Sequence, residues 1–248
     1  MPEWLLAGGA GLFAGAALLL GSAVGWIVHV PRTVVAAVMA FGSGVLISAL
    51  TFELVQEPLD VGGLPATVSG FAVGSVTYVG LNIALARFGA RHRKRSGNQP
   101  SSSESGSGGA IAVGALLDGI PESMVLGLSV LAGGGVSVPM FAAVFISNVP
   151  EGLSSAAGWK RTGRGPGYIF SVWGSIAVAS GLAALAGYLL LDGAPPSTLA
   201  FVNALAAGAI LAMITDTMIP EAFESAALYS GLLATFGFLA AFCLHAMG

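Results

Sequence analysis

Eight runs of mostly apolar residues divide this 248-residue chain, at 4–28, 33–56, 64–88, 109–132, 138–159, 168–191, 198–219 and 225–247. A bilayer core about 30 Å thick needs about 20 apolar residues at the helical rise. Backbone groups in hydrocarbon must pair within their own segment, so such runs become helices that pack together. The predicted fold is therefore an all-α, polytopic membrane bundle of eight transmembrane helices, forming a single domain over residues 1–248. Charged residues make up 8% of the chain, against about 25% in a soluble domain. A surface that poor in charge does not face water. Nine Lys+Arg against twelve Asp+Glu leave no basic excess for nucleic acid. The lipid bilayer is the expected partner. The first run lacks a basic leader and is longer than a signal-peptide core, so it is expected to stay as a span. Cys243 is the single cysteine, and no internal disulfide is expected.

The basic residues orient the bundle. Arg32 follows the first run. Arg87, Arg91, Arg93, Lys94 and Arg95 follow the third, and Lys160, Arg161 and Arg164 follow the fifth. All nine fall at connections on one side, which the positive-inside rule makes cytoplasmic. Both termini are then extracytoplasmic, and the protein sits as a multi-pass protein in the plasma (inner) membrane. Residues 90–108, rich in Ser, Gly and Pro, read as a flexible cytoplasmic loop.

Acids inside the spans carry the functional signal. Asp118 and Glu122 lie in the fourth run, Glu151 in the fifth and Asp216 in the seventh. An acid at mid-membrane costs about 2.5–3.5 kcal/mol on insertion scales. None of the nine Lys or Arg lies in a span core. Either the acids are protonated, or a cation from outside the chain balances them. Asp118 and Glu122 are four residues apart and share a helix face. Ser147 and Glu151 repeat that spacing, with Asn148 beside them. "DGIPES" and "SNVPEG" each place a proline before the glutamate. A proline inside a helix loosens the carbonyl four residues earlier, here those of Leu117 and Ile146. Carboxylates, an amide oxygen, a hydroxyl and loosened carbonyls form an oxygen-rich set suited to divalent cations.

At these residues the chain resembles the ZIP (Zrt/Irt-like protein) family of divalent-metal transporters, bacterial type. Residues 118–123 stand where the family's span-four H-N-x-P-E-G motif falls, and residues 147–152 where its span-five motif falls. The seventh span is similar too, with Asp216 at an acidic position and Glu221 at the inner end. The resemblance implies a 3+2+3 inverted-repeat bundle, import of a divalent metal such as zinc, iron or manganese, and a homodimer. It implies a metal site at Asp118, Glu122, Ser147, Asn148, Glu151 and Asp216. No permanent cofactor is implied, because the metal is cargo. Here Asp118 and Gly119 replace the usual histidine and asparagine, and span six has no acid. One site on Asp118, Glu122 and Glu151 is therefore expected, with harder ligands than imidazole. The runs "GSGVLISALTFELVQE" and "AAGAILAMITDTMIPE" both place a glycine thirteen residues before a terminal glutamate (Gly44 to Glu57, Gly208 to Glu221), as an inverted repeat would.

Glu53 and Glu57 would gather cations at the outer end, and Glu221 would line the exit. A proton- or sodium-coupled carrier of another solute could use the same acids as a relay. An intramembrane enzyme fits poorly. The three histidines (His29, His92, His245) cannot form the H-E-x-x-H pair of a metalloprotease, and an Asp118–Asp216 dyad would leave Glu122 and Glu151 without a role. G-x-x-x-G pairs at Gly11/Gly15, Gly21/Gly25 and Gly70/Gly74 predict close helix contacts, within a subunit or between two.

Overall fold

Proline starts and glycine turns set the length of each helix. In the computed structural model, which describes residues 1–87, 107–133 and 135–247, proline occupies the first turn of four long helices. Its absent N–H is not missed there. Gly63, Gly163 and Gly193 end helices with φ of +83°, +83° and +73°, a conformation that costs an L side chain about 1 kcal/mol or more. Among the described residues eight helices result: α1 (Glu3–Ile27), α2 (Arg32–Gly62), α3 (Leu64–Ala86), α4 (Ser107–Gly133), α5 (Val138–Arg161), α6 (Pro166–Leu191), α7 (Pro196–Ser225) and α8 (Leu228–Met247). No strand occurs among the described residues. The predicted loop at 90–108 lies outside the described residues as far as 106, and α4 already begins at Ser107.

Seven of these helices are long and apolar enough to cross a membrane. The exception, α5, has the length but carries Ser147, Asn148, Glu151, Ser154, Ser155 and two basic residues at its end. Its polar residues are tolerated because α5 lies inside the bundle, where nearly every residue from Ser147 to Trp159 is buried. By contrast, α3 and α8 present Val68, Val73, Val76, Leu232, Phe236 and Leu239 outward. Those apolar faces suit lipid. The chain is thus a multi-pass membrane protein.

Two spans run longer than their apolar stretches. The second was expected to end at residue 56 and the seventh at 219. Instead each passes through a π-helical segment, Leu50–Gln56 in α2 and Ile214–Met218 in α7, and continues as helix. The wider π turn re-phases the side chains that follow it. Between α7 and α8 the Ser230 hydroxyl donates to the Ala222 carbonyl, eight residues back, at 3.0 Å. A straight helix would separate those residues by about 12 Å, so the chain bends sharply there.

Packing is by backbone approach at glycine. Gly44 and Gly237 bring α2 against α8, while Gly70, Gly74 and Gly208 bring α3 against α7. Gly21 and Gly152 join α1 to α5, Gly11 and Gly15 join α1 to α6, and Gly127 and Gly187 join α4 to α6. A methyl group at any of these would meet a neighbouring helix. All three predicted G-x-x-x-G pairs therefore pack within one subunit. Direct contact between α4 and α5 is slight; α5 rests on α1 and α2, and α4 on α6, α1 and α7.

Candidate functional site

The acids named from sequence differ sharply in burial. Asp118, Glu122 and Glu151 are 3%, 2% and 4% exposed. Asp118 and Glu122 lie on α4 and Glu151 on α5, and both helices stay helical through Pro121 and Pro150. The serine after Glu122 and the one four residues after Glu151 play matching parts. Ser123 donates to the Gly119 carbonyl at 2.7 Å, and Ser155 to the Glu151 carbonyl at 2.8 Å. Each hydroxyl bonds the carbonyl four residues earlier, a local back-bond of the kind that bends helices. The carbonyls deprived of a donor by Pro121 and Pro150 are those of Leu117 and Ile146.

Tyr78 of α3 is a partner of Asp118. Its hydroxyl donates to Asp118 Oδ1 at 2.6 Å, a length typical of a hydrogen bond to a carboxylate. Sequence reading passed over Tyr78, because a lone tyrosine in an apolar run looks like an interface anchor. One turn further along α3, Asn82 Nδ2 donates to Asp216 Oδ2 at 2.9 Å. Asp216 sits in the π-helical segment of α7 and is exposed. It was expected to face the bundle interior with the other acids, and the structure does not bury it with them.

Ser147 and Asn148 are both buried but differ in use. Ser147 Oγ donates to Val144 O at 3.0 Å, which leaves the hydroxyl lone pairs as its ligating capacity. Asn148 Nδ2 donates across to Ala14 O of α1 at 2.9 Å. Its amide therefore ties α5 to α1. Glu221, 2% exposed, accepts from Ser154 Oγ of α5 at 3.2 Å. Arg161 lies within electrostatic range of both Glu221 and Arg32. Lys160 Nζ donates to Trp26 O at 2.6 Å. These basic residues gather at one end of the bundle; Arg91, Arg93, Lys94 and Arg95 lie outside the described residues.

At the opposite end a cavity of about 490 Å³ opens between α2, α4, α5 and α7. Glu53 and Glu57 of α2, Ser129 of α4, Ser137 before α5 and Asn203 of α7 supply its polar lining. Val125 and Met140, both buried, also line it. Val125 is three residues past Glu122, about 4.5 Å of helical rise. Met140 is two turns before Ser147. The cavity thus comes within a turn of Glu122 on α4, while on α5 its lining stops at Met140, eleven residues short of Glu151.

Glu53 has a partner that sequence reasoning missed. His245, near the end of α8, places Nδ1 2.7 Å from Glu53 Oε1. Glu57 joins them, and one ligating atom from each of the three residues lies within 4.8 Å of the others. The histidine is 192 positions from Glu53, and only the packing of α8 on α2 brings it there. No protein-family model matches the chain, and no curated protein matches it.

Proposed function

We propose that the protein carries divalent metal cations such as zinc, iron or manganese across the plasma (inner) membrane into the cytoplasm, with a transport site between α4 and α5. The observation that carries the reading is the burial of Asp118 and Glu122 on α4, an apolar helix long enough to span a membrane, and of Glu151 on α5, which lies inside the bundle. Three carboxylates and the Ser147 hydroxyl make a hard oxygen donor set. Such a set at membrane depth marks an ion path by default. The cavity, which reaches Val125 three residues past Glu122, supplies an approach from the end with few basic residues. Glu221, at the basic end, suits the exit, and Asp216 lies beside α3 on the same side of Glu221.

The helix pairings support an inverted 3+2+3 repeat, as in the ZIP resemblance. Gly44 and Gly208, the starts of the two π segments at Leu50 and Ile214, and Glu57 and Glu221 are each 164 positions apart. Packing of α2 on α8 answers that of α7 on α3, and packing of α1 on α5 answers that of α6 on α4. In that arrangement α4 and α5 form the core between two halves, which rock against each other to expose the site to either side. With the basic end cytoplasmic, both termini lie outside. A homodimer is part of the same reading.

The test is uptake of Mn2+ or Zn2+ into proteoliposomes by the wild-type protein and by Glu122→Gln and Glu151→Gln. Loss of most uptake in each variant is expected. Near-normal uptake in either one removes the site. A purified protein that binds no divalent ion at neutral pH would instead point to a proton- or sodium-coupled carrier of another solute.

A further inference from the structure

The cluster at the end of α2 is built more like a ligand set than like a solvated patch of acids. Glu53 is a carboxylate with only 9% of its side chain exposed. Its two oxygens are divided between separate tasks. Oε2 accepts from the Ser137 hydroxyl at 2.7 Å, and Oε1 faces His245 Nδ1 at 2.7 Å. A hydrogen bond on one oxygen that leaves the other facing the ligand position is how metal-binding carboxylates are held. Ser137 is itself fixed: its Oγ accepts from Met140 N at 3.2 Å, and its N–H donates to Ser129 Oγ at 3.2 Å.

The imidazole is held as firmly. Phe52 stacks on His245 at 5.1 Å between ring centroids, with 20° between planes. Phe242, one turn before His245 on α8, packs on the same Phe52 ring at 5.3 Å between centroids. Glu57, four residues beyond Glu53, is exposed and faces the cavity. It is the member of the set that a hydrated ion in the cavity meets first.

We propose that Glu53, Glu57 and His245 form a second divalent-cation site at the mouth of the cavity, separate from the carboxylates of α4 and α5. One imidazole nitrogen and two carboxylate oxygens suit a first-row divalent ion of the Zn2+, Fe2+ or Co2+ class, with remaining positions filled by water. Donors about 2.1 Å from such an ion stand about 3.4 Å apart in tetrahedral geometry. The 2.7 Å separation of His245 and Glu53 therefore widens by less than 1 Å on binding. Metal binding displaces any proton from the ligating atoms. Imidazole at this position favours transition ions over Mg2+ and Ca2+, a selection that the all-oxygen inner set does not make. Its role in delivering ions inward rests on the transport reading above; its existence does not.

The test uses the full-length protein in detergent with Asp118→Asn, Glu122→Gln and Glu151→Gln together, which removes all three inner carboxylates and leaves the outer cluster intact. Co2+ is titrated and followed by its visible absorption and by bound metal per chain. One Co2+ per chain is expected. Adding His245→Ala should weaken its binding at least about tenfold and change the spectrum. If His245→Ala does not fold, Glu57→Gln at an exposed position is expected to give a loss of about the same size. A background protein that binds no Co2+, or an affinity unchanged by replacing His245 or Glu57, overturns the proposal. Normal uptake by the Glu122 or Glu151 variants would instead refute the inner site and leave this one standing.

Discussion

Replacing Gly15 with alanine tests whether the seam between α1 and α6 holds the site-bearing helix in place. A Cβ at Gly15 would lie 2.8 Å from Ala177 Cα and 3.0 Å from Ser180 Cβ. Non-bonded carbons rest about 3.5–4.0 Å apart, so the helices must part locally by about 0.7 Å or more. Overpacking of this kind costs about 1–3 kcal/mol. Alanine's better helix propensity returns at most about 1 kcal/mol, so a net loss of about 1–2 kcal/mol is expected. The displacement reaches the site through the adjacent residue, because Ala14 O accepts from Asn148 Nδ2 at 2.9 Å. Stretched by the same amount, that bond passes beyond hydrogen-bonding distance. Gly9→Ala is the matched control on the same helix, with nothing within 4 Å of its Cβ. It should be neutral or slightly stabilising. Thermal unfolding in detergent, followed by circular dichroism, gives the comparison, with ion uptake measured alongside. A lowered midpoint and weakened uptake are expected for Gly15→Ala alone. Equal shifts in the two variants, or a wild-type midpoint for Gly15→Ala, would refute the reasoning.

Other outcomes follow from the same geometry. Tyr78→Phe removes the 2.6 Å bond that orients Asp118, and half-saturation of uptake should rise about tenfold or more in a concentration series. Asn148→Ala should lower the unfolding midpoint, because its buried amide bridges α5 and α1; the loss is about 1–3 kcal/mol, with the number of bound metal ions unchanged by equilibrium dialysis. Ions compete with protons for carboxylate and imidazole ligands. Uptake at fixed metal concentration should therefore fall as external pH is lowered from 7 to 5, and a flat pH profile would contradict a site made of these groups.

Much of the architecture was legible along the chain because the membrane imposes a one-dimensional code. An apolar run of sufficient length has one stable outcome in lipid, and each helix except α5 announces itself that way. The α5 helix was read as one more mostly apolar run, although its composition is that of an interior helix. Asp118, Glu122 and Glu151 stood out for a related reason: an ionisable group inside an apolar run is costly wherever it points. The π-helical segments left no such mark. Nothing in "LTFELVQ" or "ITDTM" separates five- from four-residue hydrogen bonding, so the burial of Glu53 and the exposure of Asp216 were not readable. Tyr78 and His245 were equally silent, since each becomes polar machinery only through a residue on a different helix.

Local composition was enough to place this chain in a membrane, to mark where most of its helices run, and to single out Asp118, Glu122 and Glu151 as acids in need of shelter. Those properties depend on the transfer of local segments from water to hydrocarbon, which is nearly additive along the chain. Tertiary structure alone decided that the glycine pairs close within one subunit, that Asn148 serves α1, and that an imidazole from α8 meets two carboxylates of α2. Those depend on distances of a few ångströms between residues far apart in sequence, set by how closely glycine lets two backbones approach.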